Sequence, residues 1–146
     1  MNRGKFTAFF MIMLFMGLIM ASCGEKGVSN PDAEKMAIPA AEAWLKHLDS
    51  KEYDKCWGTF STVFRSKISK DDLTKQLKLA LDPMGKMKSR TIQSKMYHTK
   101  LPGAPDGEYL VIQYKTSFEK KESAIETITP TKDKDGVWRV SGYYIK

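Results

Sequence analysis

Residues 108–118 read EYLVIQYKTSF, eleven residues rich in aromatic and β-branched side chains and free of proline and glycine. Such a run suits a pleated, half-buried surface, and it is read as the strongest strand of the chain. Residues 101–107 (LPGAPDG) precede it; there prolines fix φ and glycines supply positive φ, which marks a chain reversal. Residues 91–99 alternate apolar and polar and make a partner strand on the other side of that turn. Downstream, 123–132 reads as a third strand, 133–136 (DKDG) as a hairpin turn and 137–145 as a fourth strand. Short connections between strands predict an antiparallel meander.

Upstream of Ser89 the apolar period becomes helical. Asn30 is placed to cap, Pro31 suits a first turn, and Asp32 and Glu34 favour a helix amino end. Met36, Ala40, Ala43, Trp44, His47 and Leu48 then share one face, with Pro39 predicting a kink or a late start near Ala40. A second short helix is expected over 52–60, where Tyr53, Cys56, Trp57 and Phe60 align. A third opens at Ser69, carries Leu73, Leu77, Ala80 and Leu81 on one stripe, and ends at Gly85. Helices first and strands after them predict an α+β domain, three amino-terminal helices packed on a curved four-stranded antiparallel sheet.

The amino-terminal segment has a different character. Residues 1–5 carry Arg3 and Lys5 and no acid; 6–20 (FTAFFMIMLFMGLIM) carry no charge; Ala21 and Ser22 are small; Cys23 follows. A basic start, an apolar middle and a small-residue exit are the parts of a secretory signal peptide. The alternative is a permanent transmembrane anchor, since 6–22 reaches the lower limit for crossing about 30 Å of hydrocarbon; no basic stop-transfer cluster follows it. The stretch Met20-Ala21-Ser22-Cys23 resembles the lipobox of bacterial lipoproteins, with Met20 where leucine is usual. That resemblance implies a diacylglyceryl thioether, with a further acyl chain such as palmitate, on Cys23. Two or three chains hold a protein to a bilayer firmly where one does not. The organisation read from the sequence is therefore a signal peptide over 1–22, a lipidated tether over 23–30 and an α+β domain over 31–146. The expected location is outside the cytoplasm on a membrane; Gly24, in place of a retention-type Asp, favours the periplasmic face of the outer membrane in a Gram-negative source.

Without Arg3 and Lys5, 22 basic residues face 17 acids, which leaves about +5. The lysines are spread along the chain, as on a solvated surface, and no nucleic-acid partner is expected. The two cysteines and two histidines stand singly, so no zinc spacing exists, and there is no glycine-rich phosphate loop, HExxH or GxSxG. Neither a cofactor nor a metal nor a catalytic residue is assigned.

Five segments carry a resemblance: 41–49 (AEAWLKHLD), 53–57 (YDKCW), 85–90 (GKMKSR), 101–109 (LPGAPDGEY) and 136–143 (GVWRVSGY). In this order, over about 40–145, they are similar to the DUF4019 family of bacterial envelope proteins. The resemblance implies a small helix-then-sheet fold of the NTF2-like or cystatin-like kind, and it brings no activity. Cys56 departs from the family, which more often has a small residue beside the tryptophan.

The candidate sites are few. Arg90 and Glu126 are charged residues in strand-like surroundings, and a meander can bring them together as an ion pair, structural or ligand-orienting. Tyr109 and Tyr143 are the tyrosines that would accompany Glu126 if the fold held a small-molecule pocket. Cys56 is read as a small buried side chain, a between-chain disulfide partner, or a nucleophile needing His47 or His98 as its base. Asp106 is read as a turn residue and Trp44, Trp57, Trp138 and Tyr144 as core. The function expected is a non-catalytic module in the cell envelope that binds an envelope protein, a peptide or a cell-wall component. The alternatives are an NTF2-like small-molecule pocket protein or enzyme, and an inhibitor or accessory that recognises its target through 101–107.

Overall fold

A computed structural model describes residues 27–146. The signal peptide, Cys23 and the first part of the tether lie outside the described residues. The four strands are β1 (Met87–His98), β2 (Tyr109–Phe118), β3 (Lys121–Lys132) and β4 (Trp138–Ile145). They form one antiparallel sheet in the order β1-β2-β3-β4, the meander that the turn spacing predicts. On β2 the even-numbered residues from Leu110 to Phe118 are buried, as a one-sided core requires. Irregularities in register at Ile92/Ser94 and Thr129/Pro130 place extra residues in β1 and β4, a device that bends strands.

Among the described residues four α-helices precede the sheet: α1 (Pro31–Asp49), α2 (Tyr53–Gly58), α3 (Thr62–Arg65) and α4 (Lys70–Leu81). This corrects the expected three. The extra one, α3, is a single turn that no apolar period announces; Asp133 holds its start by accepting from the Thr62 N–H at 3.0 Å. The expected packing of all three helices on the sheet is corrected as well. Among the described helices α1 lies across the strands, α2 packs on α1, and α4 packs on α2. The chain is therefore an α+β domain with one long helix on the sheet and a second long helix stacked beyond it.

Helix α1 starts where the sequence says, with the Asn30 side chain accepting from the Ala33 N–H at 3.1 Å. It runs unbroken through Pro39, which is exposed, so that the carbonyl left without a donor on the preceding turn faces water. The buried stripe is Ala33, Ala37, Ala41, Trp44, Leu45 and Leu48, and Met36 is exposed. Three alanines four residues apart let α1 approach the strands closely, which rotates the helix away from the face that the larger residues suggest. Gly85 follows a short 3₁₀ turn (Asp82–Met84) with φ +74, a conformation that glycine adopts freely, and turns the chain into β1.

Both free edges of the sheet are covered by one residue each. Val28 pairs with Tyr97 on β1, its N–H donating at 3.2 Å and its carbonyl accepting at 2.9 Å. Beside β4, Phe60 bridges Val140, and the Ser61 N–H donates to the Val140 carbonyl at 2.7 Å. Such short covers blunt edges that would otherwise template further strands.

The 133–136 hairpin is tied to the helices through Asp133, which is buried. Its carboxylate accepts from the Ser61 hydroxyl at 2.5 Å, from Thr62 and from Arg139 at 3.0 Å. Burial pushes its pKa up, but these donors more than offset that and leave it lowered from 3.8. Next to it, the Arg139 hydrogen bond holds Asp135 down at about 2. A carboxylate with a lowered folded pKa stabilises above its unfolded value, and that contribution is lost as the pH falls through the folded one. Urea stability should accordingly fall as the pH drops below 3.8. The Asp133→Asn variant should show a shallower acid slope, and an unchanged slope would remove this linkage.

Candidate functional site

Arg90 and Glu126 meet across β2. Glu126 lies on β3 and is 0% exposed, and Arg90 comes from the first half of β1. The Arg90 Nε donates to Glu126 Oε2 at 2.6 Å and its Nη2 to Oε1 at 3.0 Å. The same guanidinium turns its other side to Asp49, the last residue of α1, at 2.7 Å and 2.9 Å. Two hydroxyls complete the shell of Glu126: Tyr143 donates to Oε1 at 2.6 Å and Thr116 donates to Oε2. The sequence contains no signal for Asp49, which follows a helix stripe it does not belong to. Thr116 carries no signal of its own beyond lying in the strand read over 108–118, where it is buried.

The electrostatics of this cluster favour permanence. One cation faces two carboxylates, and the carboxylate that is fully buried has four donors. Burial works against the Arg90 charge, but its two carboxylates more than compensate and hold it protonated. The guanidinium also sits at the carboxyl end of α1, where the helix dipole favours a cation. Burial first, then the neighbouring Glu126 charge, pushes the Tyr143 phenol well above its ordinary value, so it stays a donor.

Tyr114 stands on β2 opposite Glu126, 3% exposed, and its hydroxyl is the buried side-chain polar atom without a partner among the described residues. Burial, then the charge of Glu42, pushes its pKa up to about 12. The two tyrosines, on the strands either side of Glu126, thus differ in kind. Tyr143→Phe removes a hydrogen bond to a charged acceptor and should cost roughly 1.5–3 kcal/mol. Tyr114→Phe removes an unsatisfied hydroxyl and should be neutral or stabilising by about 1 kcal/mol. Thermal melts of the two variants check the contrast; equal losses would mean that the Tyr114 hydroxyl is bonded in solution.

The remaining candidates lie elsewhere. Tyr109, expected beside Glu126, sits five residues up β2, about 16 Å along the strand, and donates to the Pro105 carbonyl at 2.6 Å. Cys56 is fully buried, and desolvation pushes its thiol up to about 12, which leaves it neither a thiolate nor accessible to a second chain. His47 is bonded through Nδ1 to Glu52 at 2.7 Å. Asp106 is exposed in its turn, 3.9 Å from Lys100. Trp44 fills the space between α1 and the sheet, its ring 5.4 Å from that of Tyr143 and 6.3 Å from that of Phe60. A groove of about 300 Å³ runs between α1 and β4, lined by Ala40, Ala43, Trp44, His47, Thr59 and Trp138. Among the described residues there is no cluster of side chains suited to a metal ion, and no helix is long and apolar enough to cross a membrane.

The DUF4019 family, described as a protein of unknown function, matches residues 40–143, and the chain belongs to it. The match spans α1 from its middle, the whole sheet as far as Tyr143, and every member of the Arg90 cluster. No curated protein and no solved structure matches the chain.

Proposed function

We propose that this DUF4019 protein is a lipoprotein of the bacterial cell envelope whose folded domain is a non-catalytic binding module. The anchoring half of the reading rests on Cys23 behind an apolar segment and the small residues Ala21 and Ser22. The binding-module half rests on one observation. The interior between α1 and the sheet is filled by Trp44, Leu45, Leu110, Ile112, Ile128 and Tyr143, and the Glu126 carboxylate buried there is saturated with donors. A general base needs a free lone pair beside a substrate, and Glu126 offers none. Within this reading the fold is of the NTF2-like or cystatin-like kind, one long helix seated on a four-stranded meander, with its usual cavity closed by aromatic side chains.

Metabolic labelling with palmitate tests the anchor. The wild-type chain should carry label and sediment with membranes, whereas Cys23→Ser should lose the label and become soluble. A Cys23→Ser chain that stays in the membrane through residues 6–22 would replace the lipid with a transmembrane segment. Partner capture by crosslinking in intact cells tests the module, with the wild-type chain expected to give discrete adducts that the released form lacks. Turnover of a small molecule lost on Glu126→Gln, in a variant that still folds, would overturn it.

A further inference from the structure

The tether predicted from the sequence is not free along its whole length. Gly27 lies so close to β1 that a Cβ there would stand 2.6 Å from the Met96 Cβ and 2.8 Å from the His98 Nε2. Val28 is hydrogen-bonded in both directions to Tyr97. Ser29 donates to Glu34 at 3.0 Å, Glu34 pairs with Lys95 of β1 at 2.5 Å, and Asn30 caps α1. From Gly27 onward the chain is therefore part of the fold. Between Gly27 and Cys23 the chain spans four peptide steps, a reach of at most about 15 Å.

The pairing of Val28 with Tyr97 is antiparallel, so Gly27, on the Cys23 side of Val28, lies at the carboxyl end of β1 beside His98. That end of the molecule also holds the 99–107 loop, the 133–136 hairpin and the start of α1. Among the described residues, four of the six exposed large hydrophobic residues lie in or beside these segments: Val28, Met36, Met96 and Val137. The opposite end, with the β2–β3 turn, is ten residues away along β1, about 33 Å. A tether of four residues does not span that distance.

We propose that the end carrying the 99–107 loop is a membrane-facing surface, seated on the lipid bilayer by the docked tether. This orientation rests on the anchoring reading, and it commits to the bilayer as the occupant of the exposed apolar residues. It directs the β2–β3 turn, and the Asp49–Arg90 pair at the carboxyl end of α1, outward from the membrane. Partners anchored in neighbouring sites would then be met by that distal end, and the 99–107 loop would be unavailable to them.

The test uses the full lipidated chain, purified and reconstituted in phosphatidylethanolamine–phosphatidylglycerol vesicles containing a headgroup-nitroxide lipid. A fluorophore is placed on Asp106→Cys in the loop or on Lys120→Cys in the β2–β3 turn; Cys56 is buried and does not compete for the label. Most of the emission at 106 should be quenched, and none at 120. Equal quenching at both positions, or stronger quenching at 120, in protein shown by mass to carry lipid on Cys23 would overturn the orientation alone. Protein that carries no lipid on Cys23 would overturn the anchoring reading, and the orientation with it. Gly27→Val provides a second arm, because its side chain has no room against Met96. It should leave the chain lipidated and membrane-bound but abolish the difference between 106 and 120. A difference that survives Gly27→Val would show that the docked tether does not set the orientation.

Discussion

Replacing Arg90 with methionine is expected to remove about 3–5 kcal/mol of folding stability, because it leaves Glu126 charged and buried without its cation. The cost of the reciprocal change should be smaller. In Glu126→Gln the guanidinium keeps both hydrogen bonds to Asp49, which is part-exposed, and the amide oxygen can still accept from Tyr143. Asp49→Ala should cost least, since Arg90 keeps Glu126 and water reaches the vacated side. Equilibrium urea denaturation of the three single variants, at equal m values, measures the order. The Arg90→Met/Glu126→Gln double variant should be less destabilised than the two single losses added together, by roughly 0.5–3 kcal/mol of coupling. Strict additivity would mean that the pair does not act as a unit. The asymmetry has a structural meaning: Arg90 joins β1 to β3 across β2 and ties both to the end of α1, so its loss loosens the helix–sheet contact.

Trp44→Ala should be of similar size, about 3–5 kcal/mol for a large buried aromatic. Trp44 is 1% exposed, packs on Phe60 and Tyr143, and its indole N–H donates to the Cys56 carbonyl at 2.9 Å. The alanine variant therefore opens a cavity between α1 and the sheet and leaves a buried carbonyl unpaired. Trp44→Phe keeps most of the volume and loses only the N–H, so its cost should be distinctly lower. The alanine variant also bears on function. If the interior is closed because Trp44 fills it, Trp44→Ala should bind a small apolar probe such as benzene that the wild type excludes. A raised melting temperature in the presence of benzene reads this out, and a wild-type chain that responds equally would show that the interior is already open.

Much of the fold was legible in the sequence because the deciding signals are local. The aromatic and β-branched run 108–118, turn residues in 101–107 and 133–136, and the caps at Asn30 and Ser69 each act within a few residues, and the structure has the corresponding strands, reversals and helix starts. The α1 face was misjudged because Met36 is larger and more apolar than the alanines at 33, 37 and 41, and so weighs more in a periodic reading. Close approach to a sheet selects small side chains, and that preference exists only once the sheet is there. The single-turn α3 escaped for a related reason: its start is held by Asp133, 71 residues away.

The Arg90 cluster divides in the same way. The pairing of Arg90 with Glu126 was foreseeable, because a meander of this spacing brings the first and third strands within reach of a long side chain. Its third member was not. Asp49 lies 41 residues from Arg90 and enters only through the length of α1 and its angle across the strands. Tyr109 failed to join for a complementary reason, since register places it five residues from the position opposite Glu126. By itself the sequence determined the α+β order, the meander and the residues able to carry charge into the interior, since these depend on periodicity and turn chemistry along the chain. The tertiary structure alone decided the partners of each buried charge, the closing of the interior by Trp44 and the docking of Gly27 and Val28 on β1. Those contacts depend on packing and on distances between segments far apart in the chain, which no local pattern encodes.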